Sequence, residues 1–127
     1  CLNGEPPVIY TDGTQTRDFT CIDDVVEGNL SLLDTGATDG EAVNIGSLDI
    51  IEFRELAEEV RDRLAPDLEL VYGDRHDADA KHTYADVSRA KTLLGYDPTW
   101  TIREGVQEFI AWYRENREWY EPLVQAS

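Results

Sequence analysis

Methionine is absent from the 127 residues, and lysine is nearly so, being present only as Lys81 and Lys91. The sequence opens on Cys1, which leaves two expectations: an initiator was removed, or the segment comes from something longer. Its 2 cysteines, Cys1 and Cys21, are too few for a disulfide framework or a metal cage, so a reducing cytoplasm is expected and no metal site is assigned. No stretch approaches the roughly 18 consecutive apolar residues of a membrane span, and no signal-peptide pattern begins the sequence. Basic surface is missing too. The 11 Lys and Arg stand against 27 Asp and Glu, for a net charge of -16, which excludes a nucleic-acid footprint and repels anionic lipid. Neither nucleic acid nor membrane is expected as a partner. No G-x-G-x-x-G follows a strand pattern, so the chain is not a complete dinucleotide-binding unit.

What is present is a foldable pattern. Hydrophobic residues make up 41% and are interspersed along the whole length, which fits one domain over residues 1–127. Acids are spread over every segment instead of gathering in a tail. That distribution, with so little lysine, resembles the proteins of salt-loving archaea, in which dense salt screens self-repulsion; an ordinary acidic protein is the alternative. A phosphorylated ligand would have to be met by local cations, for which Arg17, Arg75, His76, Lys81, His82 and Arg89 are the candidates.

Short β-rich runs alternate with helical ones, predicting a mixed α/β (α+β) fold. Strands are expected at Val8–Tyr10, at 18–22, at 42–45 and at 68–72. A first helix is expected from about Asp24 to Leu33, with Asp23 as its N-cap and Val25, Val26, Leu30 and Leu33 as its core-facing side. Asp49 and Glu52 have capping-box spacing ahead of a second helix, in which Phe53, Leu56, Ala57, Val60 and Leu64 recur and which Pro66 ends. A polar stretch over 73–83 precedes a short helix capped by Asp86 and closed by Gly95. Thr101 and Glu104 form another capping box, starting a last helix with Ile102, Val106, Phe109, Ile110 and Tyr113 and an aromatic end at Trp112, Trp119 and Tyr120.

The run from Gly4 through Pro6-Pro7-Val8-Ile9-Tyr10, the turn at Asp12-Gly13, and Gln15-Thr16-Arg17-Asp18-Phe19 to Val25 carries a family resemblance. So do Asn44-Ile45-Gly46, the stretch His82-Thr83-Tyr84-Ala85-Asp86 with Ser88, Ala90, Lys91, Leu93 to Tyr96 and Pro98, then Glu104-Gly105 and Trp112-Tyr113. Together they resemble the C-terminal, substrate-binding portion of UDP-glucose 4-epimerases, within the NAD-dependent epimerases and dehydratases of the extended short-chain dehydrogenase family. The resemblance implies a small substrate-binding domain without the Rossmann half. The family's Tyr-x-x-x-Lys pair is also missing, so no catalytic residue is assigned and the chain alone is expected to be inactive.

By resemblance, the intact enzyme would bind NAD through its N-terminal half and interconvert UDP-glucose-type and UDP-galactose-type sugars at C4. This portion would grip the NDP-sugar, and a homodimer is allowed. A dTDP-glucose 4,6-dehydratase-like enzyme is a sister reading; a stand-alone module binding nucleotide or protein without catalysis is a different one. Arg17 aligns with the arginine that holds the diphosphate, a role its forked donors suit; pairing with Asp18 or with a helix end is the structural alternative. Tyr10 lies where the base is met, or is simply a strand aromatic. In the segment 74–82, Asp79 keeps the position associated with the ribose, and Arg75 is one place early for the phosphate. His76 stands where a second phosphate-binding arginine is expected, while His76 and His82 read equally as loop histidines. Thr11 replaces a turn glycine, so a positive φ there would be strained. Cys21 replaces a tyrosine and reads as a buried small hydrophobe.

Overall fold

The computed structural model describes residues 1, 3–36, 40–74 and 80–125, with side chains through 123. The elements run β1 (Val8–Tyr10), β2 (Thr16–Asp18), α1 (Ile22–Leu33), β3 (Ile50–Glu52), α2 (Phe53–Leu64), β4 (Val71–Gly73), β5 (His82–Thr83), α3 (Ser88–Leu94) and α4 (Ile102–Gln125). The mixed α/β class expected from the pattern is the one adopted. Two small sheets carry it: β1 pairs with β4 in parallel, and β2 lies between antiparallel β3 and parallel β5.

Two strands sit away from their expected places. The second occupies 16–18 and not 18–22, and the fourth occupies 71–73 and not 68–72. Residues 42–45 form no ladder among the described residues. Val43 and Ile45 instead pack against the core cluster of Val87, Ala90 and Tyr96, so burial and not strand pairing accounts for their apolar character. The polar stretch, in turn, contains the short strand β5.

Capping went to unexpected partners as well. Glu52 is the last residue of β3 and also the N-cap of α2, with no side-chain cap bond. The Asp49 carboxylate accepts from the Ile102 amide at 2.9 Å and so caps α4, far along the chain. The Thr101–Glu104 box is made reciprocally, with Thr101 N donating to Glu104 at 2.9 Å and Glu104 N to Thr101 Oγ1 at 3.3 Å. The Thr101 hydroxyl, donating to the Glu104 carboxyl at 2.7 Å, and then the Thr101 amide hold that carboxyl below its usual range. Asp86 accepts from Ser88 N at 2.9 Å, and Gly95 closes α3 at φ 66, as its position predicts.

α1 is turned around relative to expectation. Its buried residues are Asp24 and Gly28, and of the expected face only Val25 is half-buried, whereas Val26, Leu30 and Leu33, with Ile22, form an exposed stripe. The cause is local. A Cβ at Gly28 would fall 2.5 Å from Ile45 Cδ1 and 3.4 Å from the Tyr96 ring, so the bare backbone lets that face dock closely. Asp24 then fastens it, accepting from Thr99 N (2.9 Å), Thr99 Oγ1 (3.2 Å) and Trp100 N (3.2 Å). Asp23 is in the first turn and Cys21 is at the N-cap; Cys21 is only partly buried, not the enclosed hydrophobe expected.

Candidate functional site: the β1–β2 turn and the β4–β5 connection

Alternation along β2 sends Asp18 and Arg17 to opposite faces. Asp18 turns to the frame. Its Oδ1 accepts from Ser47 N at 2.8 Å and Ser47 Oγ at 2.7 Å, and Oδ2 from Ala85 N at 3.4 Å. Burial works against its charge, but the bonds from Ser47, Ala85 and Thr20 prevail and hold the carboxyl below its ordinary value. Nearby, Tyr96 donates to Gly46 O at 2.9 Å; burial first, then the charges of Asp24 and Asp18, hold its phenol above its usual range. Asp18 is thus engaged by Ser47 and Ala85 on the face opposite Arg17.

Arg17 sits mid-strand opposite Ile51 of β3 and Thr83 of β5 and donates from Nη1 to Thr16 O at 2.8 Å. Tyr10 ends β1 directly opposite Gly73 of β4, and its side chain is 54% exposed. A Cβ at residue 73 would meet the Tyr10 ring at 3.3 Å, so the glycine lets the ring lie against β4.

Between these two residues the chain crosses from one sheet to the other through a tight turn. Thr11 adopts φ 72, the positive value that its place in the sequence made strained, and its amide donates to Gly73 O at 3.0 Å. Gly13, at φ 76, would put a Cβ 2.8 Å from Arg54 Cβ, and its carbonyl accepts from Arg54 N at 3.0 Å. Gln15 is buried at 7% exposure, with Nε2 donating to Tyr10 O at 3.0 Å and Oε1 accepting from Thr11 Oγ1 at 2.9 Å. Sequence reasoning passed over Gln15; a polar side chain between two turn glycine-type positions and a strand was the available signal.

The described ends of the segment between β4 and β5 flank the same region. Its first end is Gly73, paired with Tyr10; its far end is Lys81 and His82, where Thr16 N donates to Lys81 O at 2.9 Å. Thr16 Oγ1 bonds His82 Nδ1 at 2.9 Å, so that histidine has a strand partner. The Asp12 carboxyl is held low by the Thr14 hydroxyl and amide, with the charge of Lys81 as the smallest contribution; the bond from Thr16 N to Lys81 O is what sets residue 81 beside the start of β2. Arg75, His76 and Asp79 lie outside the described residues. Arg89 is not part of the group: on α3 it forms a salt bridge with Glu41. The site thus gathers Tyr10, Arg17 and Lys81 around both anchors of one loop, an arrangement able to meet an aromatic ring and an anion at its two ends.

A second concavity of 660 Å³ lies elsewhere, between the start of α1, α2 and α4. Phe19, Val60, Leu64, Trp100, Phe109 and Trp112 are among its lining residues; among the described residues, neither Tyr10 nor Arg17 is. No described helix is long and apolar enough to cross a membrane.

The sequence matches the family model of GDP-mannose 4,6 dehydratase over residues 1–109. A UDP-glucuronate 4-epimerase of Thermodesulfobacterium geofontis is 36% identical over 115 residues, covering 90% of this chain and 35% of that protein. The UDP-glucose 4-epimerase of Thermotoga maritima, solved with UDP-glucose, is similar with a TM-score of 0.83 at 30% identity, over 91% of this chain and 37% of the other. The dTDP-glucose 4,6-dehydratase of Bacillus anthracis, solved with NAD, gives a TM-score of 0.80 at 28% identity, over 96% of this chain and 39% of the other. The chain therefore spans less than two fifths of the length of these proteins.

Proposed function

This chain belongs to the GDP-mannose 4,6 dehydratase family of NAD-dependent nucleotide-sugar epimerases and dehydratases, and from that premise we propose that it is the C-terminal, substrate-binding portion of a UDP-sugar 4-epimerase. Residues 1–127 form a single nucleotide-sugar-binding domain, with Arg17 on the diphosphate and Tyr10 at the base. Arg75 and His76 supply further phosphate contacts from the β4–β5 connection, and Asp79 accepts from the ribose hydroxyls. The observation that carries this reading is the strand pairing, which puts the ends of that connection beside the strands of both Tyr10 and Arg17.

The chain's own residues do not fit NAD: the glycine fingerprint and the Tyr-x-x-x-Lys pair are both missing. In the intact enzyme NAD supplies hydride chemistry from the portion outside this chain, and the chain alone is inactive. The exposed stripe of α1 supports a longer protein, since Ile22, Val26, Leu30 and Leu33 lie on one side of one helix, 46% to 82% exposed. The acidic, lysine-poor surface supports a salt-rich cytoplasm as its setting. A dTDP-glucose 4,6-dehydratase-like enzyme is the second reading, favoured by the family model and by the likeness to the Bacillus anthracis dehydratase.

Calorimetric titration of the chain with UDP and with dTDP tests both readings. UDP is expected to bind more tightly, and Arg17→Ala to weaken it by roughly tenfold or more, as for loss of a charge-assisted phosphate contact. Tighter dTDP binding turns the choice to the dehydratase. Binding of neither nucleotide, or an Arg17→Ala variant as tight as wild type, overturns the reading.

A further inference from the structure

We infer that Gln15 is a positioning residue that sets the separation between the base end and the phosphate end of the site; the inference rests on the nucleotide-binding reading above. Tyr10 and Arg17 belong to different sheets, so no shared ladder fixes their distance. The connection between them is a turn of only a few residues, with positive φ at Thr11 and at Gly13.

Gln15 spans that break. Its amide Nε2 donates to the carbonyl of Tyr10, the last residue of β1, at 3.0 Å. Its Oε1 receives the Thr11 hydroxyl at 2.9 Å. Its own backbone carbonyl accepts from Phe53 N at 2.9 Å, where α2 follows the last residue of β3, and the next residue along is Thr16 of β2. One side chain and its backbone therefore tie the first sheet to the second at the crossing. The carboxamide is suited to this as a group that donates and accepts at once without carrying charge. Its burial, at 7% exposure, keeps those bonds out of competition with water.

With Gln15 removed, the Tyr10 carbonyl loses one donor and the Thr11 hydroxyl loses its acceptor, so Thr11 loses a contact that helps hold a β-branched residue at φ 72. The base end would then shift relative to Arg17 while Arg17 itself stays on its strand. A nucleotide, which must touch both ends, feels the change; a bare diphosphate, which needs only one, does not.

The test titrates the chain with UDP and with inorganic pyrophosphate, comparing wild type, Gln15→Leu, Gln15→Glu and Arg17→Ala. Gln15→Leu is expected to weaken UDP by roughly tenfold and pyrophosphate by less than about twofold, whereas Arg17→Ala weakens both. Should Gln15→Leu lose its cooperative melt, the nearly isosteric Gln15→Glu is read for the same split, since an ionised carboxylate cannot donate to the Tyr10 carbonyl. Equal loss for both ligands, or loss for neither, overturns the role of Gln15 while leaving the site intact. Wild type that binds neither ligand overturns the nucleotide-binding reading and this inference with it.

Discussion

Asp18 and Tyr10 stand eight positions apart and show two ways of using polar groups. Around Asp18, acceptors meet donors from Ser47, Ala85 and Thr20, and the strand cannot move without breaking several bonds at once. Around Tyr10, the backbone makes a positive-φ turn at a threonine and is steadied by one buried carboxamide. The first region determines whether the domain holds together, and the second what geometry it offers. Such division is expected of binding sites, in which strain is tolerated because the surroundings enforce it.

The largest effect that would test this contrast is on the frame. Asp18→Ala is expected to cost about 3 kcal/mol in urea unfolding, because it strands the Ser47 and Ala85 donors. The same variant carries a pH signature. Since the folded carboxyl is held below its ordinary value of 3.8, its stabilisation is present above that value and is lost as pH falls through the lower folded one. Wild type should lose stability along that acid limb, and Asp18→Ala should show a shallower one; equal slopes would remove Asp18 from the frame. Next comes Gly46→Ala. An added Cβ would lie 2.5 Å from Asp18 Oδ2 and 2.9 Å from Ala85 Cβ, and a loss of about 2 kcal/mol is expected from thermal melts. The smallest effect belongs to the turn. Thr11→Gly relieves the positive φ but loses the bond to Gln15, so a gain of less than about 1 kcal/mol is expected. A clear loss of stability there would make the turn part of the frame and dissolve the contrast.

The helices were largely legible in the sequence because their signals are local. α2 and the Thr101–Glu104 box rest on spacing within a few residues, and Gly95 needs only its own backbone. What misled was tertiary. Asp49 has the spacing of a cap for α2 yet serves α4, and nothing within its own segment records that. The apolar residues at 43 and 45 read as strand but are spent on the Tyr96 cluster. In α1 the apolar period was correct and its direction was not, because a glycine and an aspartate, neither of them hydrophobic, form the docking face. At the site, Tyr10 and Arg17 were chosen from the motif, and strand pairing brings their segments to one loop. Gln15 was not chosen, because its importance lies in bonding a residue five positions back and not in any chemistry of its own.

The outward stripe of α1 has a practical corollary when set beside the net charge of -16. In dilute buffer, like-charged copies repel one another and the stripe stays wet. Added salt shortens that repulsion to a few ångströms, and sulfate or phosphate also strengthens apolar contact. The ions that relieve strain within one molecule therefore bring the oily sides of neighbouring molecules together. Folding and dispersal make opposite demands on the solvent, and a crystallisation or storage condition for this chain has to be sought between them.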